Sequence, residues 1–317
     1  MSENFSSSQP IGPISVGDVV SAGVRIYRDH FKSYFGVAIR ATLWGLLPFL
    51  ALIPIPLLLI NGEQNLAALL LLVPLGLLLF LYGTAKYTAN SALISRLAFR
   101  ELVNKPESTK EARRELDPKF WIFFRTYLLI SLLSIGVVIG FYLGVLILGI
   151  IGGYIGYFIR ANTFIIVLLV VVGLLAFGVA LSALIRFFTR LAIFEVPLAI
   201  EENIKATQTI GRSWRLTKGH VGRIFLILTV AFLISLPIYI ITQFIVNIIL
   251  ATLLGVLSID STAVAFQLIS FLVAYSLGLV SQVVILPFWQ AIKAVIYYDL
   301  RTRKEGMGLQ IRDSYSQ

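Results

Sequence analysis

The chain alternates between short stretches that carry one apolar stripe and long stretches that are apolar on every side. Val16, Val19, Val20, Gly23, Val24, Tyr27 and Phe31 recur at the three- and four-residue spacing of one helix face. Ser15, with Asp18 three residues on, supplies a capping box to start that helix. Six runs then lack any polar face: Tyr34 to Ile60, Leu66 to Lys86, Trp121 to Ile150, Thr163 to Ile185, Ile224 to Leu250 and Thr262 to Trp289. About 20 apolar residues let a helix cross a hydrocarbon layer of roughly 30 Å, so each run predicts a membrane span. The runs are too long for strands, and the two-residue alternation of a membrane β-barrel is missing.

Composition points the same way. The residues are 58% hydrophobic and 13% charged, against roughly 25% charged in an ordinary soluble domain, more apolar surface than one globular core could hide. Residues 1–13 are polar and Ser-rich, lack the basic start and cleavage site of a secretory signal, and are expected to form a disordered tail. Residues 307–317 read as a second polar tail, leaving 14–306 as one membrane domain. With no cysteine in the chain, disulfides, thiolate metal sites and cysteine nucleophiles are excluded.

Charge sets direction. If the chain crosses six times, every one of its 26 Lys and Arg residues except Arg160 falls on one side, while the connections Asn61 to Asn65 and Ser258 to Ser261 hold none. Positive segments stay cytoplasmic during insertion, so both termini are expected in the cytoplasm, beneath a bacterial inner or internal membrane. An odd number of spans would break the pattern.

The chain also repeats itself. Val16 to His30 aligns without gaps on Ala206 to His220, matching Arg25 with Arg215 and Arg28 with Lys218, and a weaker counterpart, Glu107 to Leu116, precedes the third span. The expected architecture is an all-α integral membrane protein of three units, about 14–104, 105–203 and 204–306. Each is a cytoplasmic amphipathic helix followed by a transmembrane hairpin. With Arg25, Arg28 and Lys32 beside its stripe, the first amphipathic helix either rests in the headgroup layer or packs on the cytoplasmic ends of the bundle.

The ends of the even-numbered spans repeat a cation, an aromatic and a carboxylate: Arg96, Phe99, Glu101; Arg190, Phe194, Glu195; Lys293, Tyr298, Asp299. Arg25, Arg28, Lys86, Arg96, Arg186, Arg190, Arg215, Lys218 and Lys293 are therefore candidate contacts for anionic lipid headgroups or a protein partner. The plainer account is that they are snorkelling cations and surface ion pairs at helix ends. In the third span Gly136, Gly140 and Gly144 form a ridge for close helix approach, inside the bundle or to a second subunit. Pro48 and Pro237 should kink their helices. Ser131, Ser134, Gln243, Asn247, Gln267 and Gln282 are explained by hydrogen bonds between helices. Mid-span carboxylates are missing, and the only histidines are His30 and His220. No catalytic constellation, metal site or cofactor site can be assembled, and nothing points to nucleic acid.

Gly211 to His220 and Tyr297 to Gly306, with the opening Val16 to Phe31, resemble the membrane domain found beside bacterial glycerophosphoryl diester phosphodiesterases, over about Ser15 to Gly306. The resemblance implies a membrane module without its hydrolase, because the soluble barrel and its metal-binding carboxylates and histidines are missing. The expected role is a non-enzymatic scaffold or accessory subunit whose basic cytoplasmic rim binds anionic lipid, a membrane-protein partner or a second copy. The alternative is a transporter or lipid-translocating protein with a path between the hairpins, its helices broken at Pro48, Pro74, Pro237 or Pro287.

Overall fold

The computed structural model describes residues 14–52, 66–158, 162–257 and 264–306, and all regular structure among them is helical. The helices are α1 (Val16–Asp29), α2 (Phe31–Leu52), α3 (Leu66–Leu102), α4 (Thr109–Leu116), α5 (Phe120–Phe158), α6 (Thr163–Leu191), α7 (Glu195–Ile200), α8 (Ala206–Thr217), α9 (Val221–Leu257) and α10 (Val264–Glu305). One 3-10 turn, Asp117–Lys119, joins α4 to α5. Five helices, α3, α5, α6, α9 and α10, are long and apolar enough to cross a membrane, the mark of a multi-pass α-helical membrane protein. Of the first expected span, α2 covers the part up to Leu52. Residues 53–60, Arg160, the connections 61–65 and 258–261 and both expected tails lie outside the described residues.

Several helices outrun their apolar stretch. At about 1.5 Å per residue, Leu66 to Lys86 alone accounts for the ~30 Å hydrocarbon layer, and α3 continues to Leu102. The buried core occupies such extensions: Leu93 and Ile94 on α3, Ile193, Val196 and Leu198 around α7, and Ile292, Val295, Ile296 and Tyr297 on α10 are almost wholly enclosed. The apolar parts of the same helices are largely exposed, and the most apolar stretches of α5 and α6 bury no residue. A tightly packed base on the basic end thus carries splayed spans. α3, α9 and α10 run unbroken through Pro74, Pro237 and Pro287, so the breaks that a repeat-built transporter would need are not formed there. Pro48 lies outside the described side chains.

Helix α1 starts as its sequence dictates: Ser15 Oγ accepts the Asp18 N–H at 3.2 Å, and Asp18 Oδ2 accepts the Ser15 N–H at 3.2 Å. Its apolar face packs on the bundle, chiefly against α10. The buried stripe is rotated from the expected one, with Ala22 and Ile26 inside while Val24 and Phe31 stay exposed, because α10 approaches closely at Gly23. A Cβ on Gly23 would clash with the end of the Ile292 side chain and lie 3.3 Å from its Cα.

The short helices dock in a cycle. α4 packs on α3 before it, α8 rests on α5, α6 and α7 before it, and α1 lies on α9 and α10. The first short helix therefore covers the last pair of long ones, and the base closes on itself.

Candidate functional site

Each junction of the cycle is fastened by a polar group at the end of a long helix. At the first, Arg96 is 4% exposed and grips Glu107, just before α4, through Nε at 2.9 Å and Nη2 at 3.0 Å, while its Nη1 donates to the Ala199 carbonyl at 3.0 Å. At the second, Ser213 Oγ on α8 donates to the Arg190 carbonyl at 2.6 Å, and the Arg190 guanidinium stacks 4.5 Å from the Trp214 ring. At the third, Asp299 accepts the Ile14 N–H at 3.2 Å and pairs with Arg223 at 3.1 Å and Arg303 at 3.0 Å. Both arginines also donate to the Ile14 carbonyl. Between these junctions, buried Glu195 pairs with Lys293 and accepts Gln290 Nε2 at 2.9 Å, and Arg212 pairs with Glu201 and Glu305.

These contacts divide the cations singled out by sequence. Arg96 and Lys293 are each held by a carboxylate from outside their own helix, which matches their charge within the base. Arg190 spends its planar face on Trp214. Arg25, Arg28, Arg186, Arg215 and Lys218 are exposed, Arg28 making only a 3.4 Å contact with Asp29. Lys86 has its ammonium 4.0 Å from the centre of the Phe120 ring, with Trp44 and Tyr82 at 5.6 and 5.8 Å.

Lys86 opens onto a groove of about 650 Å³ between α2, α3 and α4, lined also by Arg40, Arg113, Asn90, Asp117 and the apolar side chains Leu43, Leu46 and Leu47. Arg113 is positioned by a neutral group, its Nη1 donating to Asn90 Oδ1 at 3.2 Å. Among the described residues neither arginine nor the lysine forms an ion pair there. Arg40 and Arg113 were not singled out by sequence; the signal would have been two cations on adjacent short and long helices, legible only once those helices are known to touch.

Two further expectations concern the spans. Among the described residues, a Cβ on Gly136, Gly140 or Gly144 would meet nothing within 4 Å, so no described helix packs on the ridge, which leaves its second-subunit alternative. Among the described residues, Ser131, Ser134, Gln243, Asn247, Gln267 and Gln282 form no side-chain hydrogen bond to another helix. That task falls to Thr242 with Ser281, 2.5 Å apart, and to Tyr275, whose hydroxyl donates to the Gly45 carbonyl at 2.6 Å. Comparison with protein-family models, with characterised proteins and with solved structures finds no match to this chain.

Proposed function

We propose that this protein is a non-enzymatic scaffold or accessory subunit of a bacterial inner membrane, with six spans in three hairpins, both termini cytoplasmic, and a basic cytoplasmic face that binds anionic lipid headgroups. The observation that carries the reading is the partition of charge. Arg96, Lys293, Arg212, Arg223 and Arg303 are consumed in holding the base together, whereas Arg25, Arg186, Arg215 and Lys218 remain exposed and available. Juxtamembrane cations gain about 1 kcal/mol each at an anionic surface, so the exposed set suffices for binding without any pocket. The enclosed core at the basic end, with Tyr297 and Ile193 fully buried, speaks against an aqueous path through the base. The resemblance to membrane domains that accompany phosphodiesterases fits an accessory role.

The test is reconstitution of the purified chain in liposomes of phosphatidylcholine with and without phosphatidylglycerol. Labelled lipid and small solutes should cross no faster than in empty liposomes, while phosphatidylglycerol should be enriched among lipids that co-purify in mild detergent. Rapid, protein-dependent lipid or solute flux would overturn the scaffold reading in favour of a translocator.

A further inference from the structure

We propose that the groove between α2, α3 and α4 is a specific binding site for the phosphate of an anionic phospholipid, held by Arg40, Lys86 and Arg113; the inference rests on the lipid-binding reading of the basic face and assigns it one site. The argument begins with charge. Elsewhere in the base most enclosed cations are matched by carboxylates, Arg96 by Glu107, Lys293 by Glu195, and Arg223 and Arg303 by Asp299, and the exception, Arg190, stands alone against the Trp214 ring. Here three cations converge on one cavity whose only carboxylate is Asp117, and that carboxylate forms no ion pair with any of them among the described residues. The ring cradle orients the Lys86 ammonium without neutralising it, and Asn90 fixes the Arg113 guanidinium in the same way. The charged Arg113 guanidinium is disfavoured first by burial and next by the repulsion of Arg40, against a smaller pull from Asp117. An anion placed between them relieves that repulsion, and a phosphate takes the charge-assisted hydrogen bonds that guanidinium and ammonium donate.

Position selects lipid over other anions. Lys86 ends the apolar part of α3, and Trp44, Tyr82 and Phe120 around it are the aromatic residues expected where hydrocarbon meets headgroups. Leu43 is 59% exposed, and with Leu46 and Leu47 it continues the groove along the apolar side of α2. A phosphate seated at the cations can thus lay an acyl chain on these leucines. An extended acidic peptide there would carry unpaired backbone groups into hydrocarbon, which its charge contacts do not offset.

Native mass spectrometry of the full chain in detergent, titrated with dioleoyl-phosphatidylglycerol or dioleoyl-phosphatidylcholine, tests the site. The wild type should retain phosphatidylglycerol preferentially. Arg40→Gln, on an exposed helix face where folding is not at stake, should weaken that retention about fivefold, and Arg40→Gln with Lys86→Gln and Arg113→Gln about a hundredfold. Lys32→Gln with Lys105→Gln and Lys205→Gln, three exposed cations outside both the groove and the set proposed for the diffuse face, should leave it within about twofold. Glycerol phosphate in millimolar excess should not displace the lipid. Equal loss in the two triple variants would sink the groove and leave a diffuse lipid-binding face standing. Displacement by glycerol phosphate would replace the lipid with a soluble phosphate ligand. Indifference of the wild type to headgroup charge would remove both readings.

Discussion

His220 shows how a single residue reports the electrostatics of the base. It sits between α8 and α9, where burial and the nearby Lys304 and Arg303 hold its imidazole below the ordinary histidine range, against a smaller opposing pull from Asp299 and with a still smaller push from Arg223. The neutral ring is therefore the form the fold prefers. The unfolded chain takes up the proton first as pH falls, so the contribution of this residue to stability is complete above an unfolded pKa of about 6.5 and declines below it. An NMR titration of His220 should give a midpoint below that of a free histidine, and Lys304→Gln should move it part of the way back. A midpoint at the free value in the wild type would show that the cationic base does not close around it.

At the scale of elements, two sets of glycines that look alike in sequence play opposite parts. Gly23 lets α1 approach α10, whereas Gly140, in the regular ridge of α5, touches nothing. Gly23→Leu should cost about 1–3 kcal/mol by overpacking that contact, and Gly140→Leu should stay within about 0.5 kcal/mol of the wild type, both read from thermal unfolding in detergent. Comparable damage at Gly140 would mean that a second molecule covers the ridge. The same contrast marks the limit of legibility here. Periodicity located α1 and its cap correctly, because Ser15 and Asp18 act within one turn. It rotated the buried stripe wrongly, since the choice between Val24 and Ile26 as the inner residue was made by Ile292, far along the chain.

For the whole molecule, the junction at Asp299 closes the cycle of short helices by tying Ile14 to α9 and α10. Asp299→Asn would leave Arg223 and Arg303 facing each other without a carboxylate while the amide could still accept the Ile14 N–H. Breaking a buried pair costs about 3–5 kcal/mol, and because both arginines are about a fifth exposed, solvent screening lowers the expected loss to about 2–3 kcal/mol. Hydrogen exchange should rise across α1 and remain unchanged across α4, whose own junction at Arg96 is intact. Uniform loosening of both helices would show that the base unfolds as one unit.

Helical class, the apolar character of a membrane protein and the places of five of the six expected spans followed from the chain itself, since burying apolar side chains in lipid and satisfying backbone hydrogen bonds are local demands that each segment answers alone. The helix start at Ser15 followed for the same reason. Which cations stay free was decided only by tertiary structure. Arg96 and Arg40 are equally basic in sequence, but neutralisation depends on a carboxylate brought from outside the helix that carries the cation. Glu107 reaches Arg96 because α4 docks on α3, and no carboxylate pairs with Arg40 among the described residues, a difference set by packing across units that no local pattern encodes.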